Sequence, residues 1–274
     1  MPLASRSVLT PPRRRTVNAT ATAVLLLACA IALLSAPRAS AMFDGPAYAF
    51  PVPDYVSGLI GQSALSNAYG ASDSSSGSSK KGSSKRKPKA KPKPRKPTAA
   101  QRRALRFTET PAVTQRINQL VIERTGADPA VLLPVLDKVR ADWRQVLTKN
   151  VKWSPRDLGD ATAFTFIQLN NQYRGQGQLD ERAVASIRTL VRDDLARKAS
   201  VRRLSAARKQ EAVEVLQLRT IFLATTRDLR QQAGDAAGVR AAKEDIRSFT
   251  RETFGIDLQK VKVGKKGLVA TKKK

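Results

Sequence analysis

The 274-residue sequence predicts an all-α fold: a compact helical bundle of about five to seven helices, closed by a small C-terminal hairpin and preceded by a disordered basic linker. Three observations carry that prediction. Apolar residues recur at helical spacing through residues 107 to 259. Start signals (Thr, Asp or Ser, often followed by Pro) and Gly stops punctuate those stripes. No stretch longer than a few residues alternates with period two before Val261.

The elements follow in order. Thr110-Pro111 supplies a capping hydroxyl and a proline at the first helical position, and Val113, Ile117, Leu120, Val121 and Arg124 then recur up to Gly126. Asp128-Pro129 repeats the signal ahead of Val131, Leu132, Val135, Leu136 and Val139, with Trp143, Val146 and Leu147 continuing after a break. Ser154-Pro155 opens a third unit, in which Leu158, Ala161, Phe164, Thr165, Ile167 and Gln168 precede Tyr173 and the stops Gly175 and Gly177. Asp180 caps a fourth helix through Ala183, Val184, Ile187, Val191 and Leu195. Ser205 starts a fifth through Ala212, Val213, Leu216, Ile221, Leu223 and Leu229. Gly234 and Gly238 lead to a sixth carrying Val239, Ala242, Ile246, Phe249 and Phe254, and Val261 to Val269 suits a hairpin around Gly264-Lys265-Lys266-Gly267.

Charge divides the chain. The sequence holds 50 Lys or Arg against 22 Asp or Glu, a net charge of +28. Residues 1–41 carry 5 bases and no acids, residues 42–106 carry 13 and 3, residues 107–259 carry 25 and 19, and residues 260–274 carry 7 and 0. Only the third segment has a globular composition, and it is long enough for one hydrophobic core. The expected organisation is a signal peptide over 1–41, a partly ordered Gly/Pro/Tyr arm over 42–70 and a Ser-rich then Lys/Pro-rich linker over 71–106. A helical domain over 107–259 and a basic tail over 260–274 complete it.

Arg13, Arg14 and Arg15 precede an apolar run from Ala23 to Leu34, and Ala39-Ser40-Ala41 places small residues at both positions a signal peptidase inspects. The pattern predicts a secretory signal cleaved between Ala41 and Met42, hence a periplasmic or secreted protein. Two competing readings keep the chain at a membrane: an uncleaved segment from Val17 to Ala36, or lipidation at Cys29. The paired arginines also suit twin-arginine export, although Thr16-Val17-Asn18 continues that motif poorly.

Absent residues exclude chemistry. There is no His, and the sole cysteine is Cys29 within the signal segment. A Ser-His-Asp or Cys-His nucleophile, a His-ligated zinc and a disulfide within the mature chain are therefore ruled out. No catalytic, cofactor-binding or metal-binding residues are expected. Asp157 with Asp160, and Glu211 with Glu214, stand three apart and share a helix face, a spacing used by carboxylate metal sites in bundles. Without His the simpler role is helix-dipole complementation or pairing with Arg. Asp193-Asp194 and Glu244-Asp245 diverge around their helices toward solvent, and Gly175-Gln176-Gly177 lacks the strand a phosphate loop needs. Trp143, Trp153, Phe164, Phe166 and Tyr173 suit either a ligand pocket or, more simply, the core.

The basic segments supply the functional expectation. Lys85, Arg86, Lys87, Lys89, Lys91, Lys93, Arg95 and Lys96 alternate with Pro and Ala in an extended cationic tract, and Lys272, Lys273 and Lys274 end the chain. These residues are candidates for contact with a polyanion. Residues 71 to 106 hold one aromatic-free run of charge, so stacking on bases has no support there before Phe107. The reading that follows is an exported, non-catalytic interaction module. Its partners would be anionic envelope components or proteins, with nucleic acid less favoured and membrane contact confined to the signal segment or basic arms. The alternatives are a basic-tailed nucleic-acid binder, or a carboxylate-based hydrolase requiring two acids converging in a cleft about 5 to 10 Å apart.

Arg106-Phe107-Thr108 leading into Pro111-Ala112-Val113, the Ala163-Phe164-Thr165-Phe166 segment ending near Asn170 and Tyr173, and Phe254-Gly255-Ile256-Asp257-Leu258 together resemble an uncharacterised family of exported bacterial proteins, domain-of-unknown-function family 6683. The resemblance covers about residues 45 to 265. It implies a signal peptide, a variable linker and a helical C-terminal domain, and it brings no activity or catalytic residues. The long Lys/Pro insert departs from the usual pattern of that family.

Overall fold

The computed structural model describes residues 95 to 271 apart from 178, 265 and 266. The cleavage site at Ala39, Ala41 and Met42, Cys29, the arm, most of the Lys/Pro tract and Lys272 to Lys274 lie outside the described residues. What remains is all-α except for one hairpin. Six long helices fall within the expected number, and two short ones join them.

The first of these, α1 (Ala99–Arg103), corrects a boundary. Residues 98 to 106, read from sequence as linker, are folded onto the bundle. The Thr98 hydroxyl accepts from the Gln101 amide at 3.2 Å and the Gln101 side chain accepts from the Thr98 amide at 2.8 Å, closing a capping box. Leu105 then enters the core with no exposed surface, and its carbonyl accepts from the Leu158 amide. A basic surface conceals this anchor in the sequence, because Arg102, Arg103 and Arg106 surround one apolar side chain.

Helices α2 (Pro111–Thr125) and α3 (Pro129–Gln145) form a hairpin. Gly126 ends α2 at φ +61°, a left-handed conformation that glycine adopts without a Cβ penalty. Asp128 caps α3 through the Ala130 amide. Thr110 differs from expectation: its hydroxyl does not cap α2, because Gln210 of a later helix takes both its amide and its hydroxyl. Val113, Ile117 and Val121 meet Leu132, Leu136 and Val139 in a small core that takes in Leu218 from that later helix. Leu120 and Val131, both on the expected apolar stripes, are exposed. Beyond α3 a π-helical turn (Val146–Asn150) leads Leu147 into the main core.

Helix α4 (Leu158–Arg174) is central. Its N-cap is Asp157, not Ser154, since the Asp157 carboxylate accepts from the Gly159 and Asp160 amides while Ser154-Pro155 forms the preceding turn. Every residue from Leu158 to Ile167 is buried, which suits a helix apolar or small nearly all round. It packs against α5 (Glu181–Arg197), α7 (Ala206–Gln232) and α8 (Ala236–Phe254). Gly159 permits the α4–α5 approach: a Cβ there would lie 2.8 Å from Arg192 Cγ and 3.2 Å from Arg192 Cα. Phe166 meets Phe254 edge-on at 5.5 Å, and Phe164 meets Trp143 edge-on at 4.7 Å. Burying each such ring stabilises the fold by about 2–3 kcal/mol.

The second short helix, α6 (Ala199–Arg202), links α5 to α7. Asp180, Ser205 and Asp235 cap α5, α7 and α8 in turn. The chain closes with the expected antiparallel hairpin of β1 (Val261–Gly264) and β2 (Gly267–Ala270), in the register Val261 to Ala270 and Gly264 to Gly267. Arg174 holds it to α4, its Nη2 donating to the Leu258 and Val261 carbonyls at 2.5 Å each.

Candidate functional site

Both carboxylate pairs singled out from sequence sit in the interior. Asp157 and Asp160 are 0% and 1% exposed at the start of α4. Two α5 arginines answer them: Arg188 grips Asp160 in a two-pronged contact at 2.7 and 2.8 Å, and Arg192 donates to Asp157 at 2.6 Å. Asp160 also accepts from the Ser154 amide. Burial, then the neighbouring Asp160 charge, push the Asp157 carboxyl above the usual range, against the opposing pull of Arg192. Arg188 lies over the Trp153 ring at 5.0 Å. Two helix spacings, 157 to 160 and 188 to 192, thus make one lock between α4 and α5.

Glu214 and Glu211 line α7. Glu214 accepts from Arg140 Nε at 3.1 Å, the Thr114 hydroxyl at 2.7 Å and the Gln210 amide at 2.8 Å, and Arg140 reaches on to Asn118 at 2.6 Å. This network crosses α2, α3 and α7. Glu211 pairs with Arg116 and Arg208 at its edge. Asp193 and Asp194, expected to face solvent, are instead engaged: Arg102 of α1 takes Asp193 in a two-pronged contact, and Lys198 lies 3.3 Å from Asp194, which is buried. Charged α5 residues face other elements here because α1 and α6 cover the end of that helix.

A narrow cleft opens beside the second network, between Phe107, Glu109, Trp143, Arg144, Gln210 and Glu214. Its space of about 10 Å³ accommodates at most one water molecule. The Trp143 indole N–H, on its wall, has no hydrogen-bond partner among the described residues. Glu109 is engaged by Arg144 at 3.3 Å and Arg156 at 3.4 Å. A sugar ring between two unengaged carboxylates, the geometry that glycoside hydrolysis uses, is not what this cleft presents. Among the described residues no group of three His, Cys, Asp or Glu side chains is placed to hold a metal ion, and no helix is long and apolar enough to cross a membrane.

The aromatic residues read as pocket or core are placed in the core: Trp143, Trp153, Phe164 and Phe166 are buried, and Tyr173 is partly buried against the same main core. Of the polyanion candidates, Arg95 and Lys96 are described and both are exposed, at the point where the tract enters α1. Sequence reasoning missed the contribution of α1, although Thr98 and Gln101 at capping-box spacing signalled it.

The helical domain, the segment ahead of it and the closing hairpin fall within one family match. Residues 19–271 match the model of a family of unknown function, DUF6683. The chain belongs to this family. The match extends beyond the 45 to 265 expected from the residue patterns. No curated protein and no solved structure matches the chain.

Proposed function

We propose that this DUF6683 protein is an exported, non-catalytic helical module whose cationic arms contact anionic envelope surface. One observation carries the reading: the Lys/Pro tract runs into the bundle through exposed Arg95 and Lys96, so its charge is delivered at a fixed point of a folded domain. The signal-like N-terminus and the engagement of the interior carboxylates in structural ion pairs support it. Counterion release provides the driving force, since each Lys or Arg brought to a polyanion frees condensed ions.

Fractionation of a C-terminally tagged copy, with intact-mass analysis of the purified chain, tests the reading. The expected result is a mature N-terminus at Met42 in the periplasm or medium. A lipidated or uncut chain in the membrane fraction would turn residues 42 to 106 into a spacer from a bilayer. An uncut soluble cytoplasmic chain would overturn the proposal in favour of nucleic acid. Changing the tract bases to Ser should lower surface retention, and unchanged retention at low salt would remove charge as the mechanism.

A further inference from the structure

The domain's charge is segregated. Within residues 107 to 259, all of the net excess lies between Arg197 and Lys209, which hold six bases and no acids; the remainder has 19 of each. This stretch runs from the last residue of α5 through α6 to the first turn of α7. Residues 95 to 106 add five more bases and no acids. The fold brings the two stretches to one end of the bundle. Arg102 of α1 grips Asp193, one turn before Arg197, while Gln210 at the start of α7 binds Thr110, just beyond α1.

Several of these bases serve the fold: Arg197 and Lys198 pair with Asp194, Arg208 with Glu211 and Arg102 with Asp193, while Arg202 donates to the Ala196 and Arg197 carbonyls. Arg103, Arg106 and Arg203 are exposed and have no ion-pair partner among the described residues. We infer that this end of the bundle, built on Arg103, Arg106 and Arg203 and continuous with Arg95 and Lys96, is a folded binding face for an acidic polysaccharide. The inference rests on the reading of the protein as an exported polyanion-contacting module. Exposed, permanently charged side chains attract the carboxylate and sulfate groups spaced along such a polymer, whatever the geometry of each contact. Residues 95–106 and 197–209 contain no aromatic side chain on which bases would stack. Among the described residues the large exposed apolar side chains, Leu120, Val131 and Val269, belong to other elements, so this face carries no wedge for a bilayer.

The test measures binding of a size-defined heparin fragment to the mature full chain by calorimetry across a salt series, with duplex DNA and anionic phospholipid vesicles in parallel. The triple variant Arg103→Ser, Arg106→Ser, Arg203→Ser is expected to bind about tenfold more weakly at low salt, with a salt slope reduced by about two. Its thermal midpoint should match the parent, because these are surface positions. The triple Arg→Lys variant should stay within about threefold of the parent, since charge is kept; an equal loss in both triples overturns the charge-based face. Tighter binding of DNA or vesicles at equal salt overturns the polysaccharide assignment. If a variant with Ser at the tract bases loses all binding while the Ser triple loses none, the folded face is refuted and the arm reading stands. The converse supports the face and removes the arm.

Discussion

Replacing Glu214 with Leu strands a buried guanidinium. Arg140 is 3% exposed and Glu214 5%, so neither charge can turn to water. After Glu214→Leu, Arg140 keeps Asn118 at 2.6 Å and Asp137 at 3.3 Å, but its Nε loses its partner and the Thr114 hydroxyl loses its acceptor, while the Gln210 amide keeps the Thr110 carbonyl and the Thr114 hydroxyl. Breaking a buried pair from one side costs about 3–5 kcal/mol, and the contacts Arg140 retains place this case near the lower bound. For a domain of this size the thermal midpoint should fall by roughly 6–12 °C. Arg140→Met leaves Glu214 with two hydrogen-bond donors and should cost about 2–3 kcal/mol. The double variant leaves no charge behind, so it should be less destabilised than the two singles added together by about 2 kcal/mol. Urea unfolding followed by far-ultraviolet circular dichroism and by tryptophan fluorescence measures all three, with Trp143 a nearby reporter. A single variant within about 0.5 kcal/mol of the parent, or strict additivity in the double, would refute the argument.

Three further outcomes are expected. Gly159→Ala should destabilise by about 1–3 kcal/mol, because the new methyl meets the Arg192 backbone and Leu105 and must part α4 from α5; denaturant midpoints measure it. Phe166→Ala, at a position with no exposed surface against Phe254, should cost about 3–5 kcal/mol in the same assay. Arg247 donates to Asp257 at 2.7 and 2.9 Å and holds its carboxyl below the ordinary 3.8. A depressed folded pKa contributes stability that is present above the unfolded value and is lost as pH falls through the folded one. Asp257→Asn should therefore be less stable than the parent near neutral pH, with the gap closing below about pH 3.8, and melts across a pH series would show a constant gap if the reasoning failed.

Local signals were the most legible part of the chain. Asp128, Asp180 and Ser205 cap helices where the sequence placed them, because an Asx or Ser side chain bonding amides two or three residues on needs no tertiary partner. Thr110 failed as a cap because a residue 100 positions away competes for it. Leu120 and Val131 fit a helical period yet face solvent, since a period fixes which residues share a stripe but not how wide a stripe the neighbour covers. The carboxylate pairs were visible by spacing, and their arginine partners were not: Arg188 and Arg192 match Asp160 and Asp157 only once α5 lies on α4. The basic end was equally hidden. Its two acid-free stretches lie some ninety residues apart in sequence, and tertiary contacts such as Arg102 to Asp193 bring them together.

The small core inside the α2–α3 hairpin means that this protein holds two cooperative units of unequal strength. The hairpin satisfies six of its own apolar side chains in this small core, with Leu218 from α7 as the one buried member drawn from another element. Its hold on the rest runs through hydrogen bonds to Gln210 and Glu214, which can exchange for water at little enthalpic loss, and through the Trp143 ring, which the last turn of α3 buries in the main core against Phe164. Amide protons in α2 and the first turns of α3 should therefore exchange with solvent through an opening far smaller than global unfolding. Those of α4, walled in on all sides, should wait for the whole molecule to come apart.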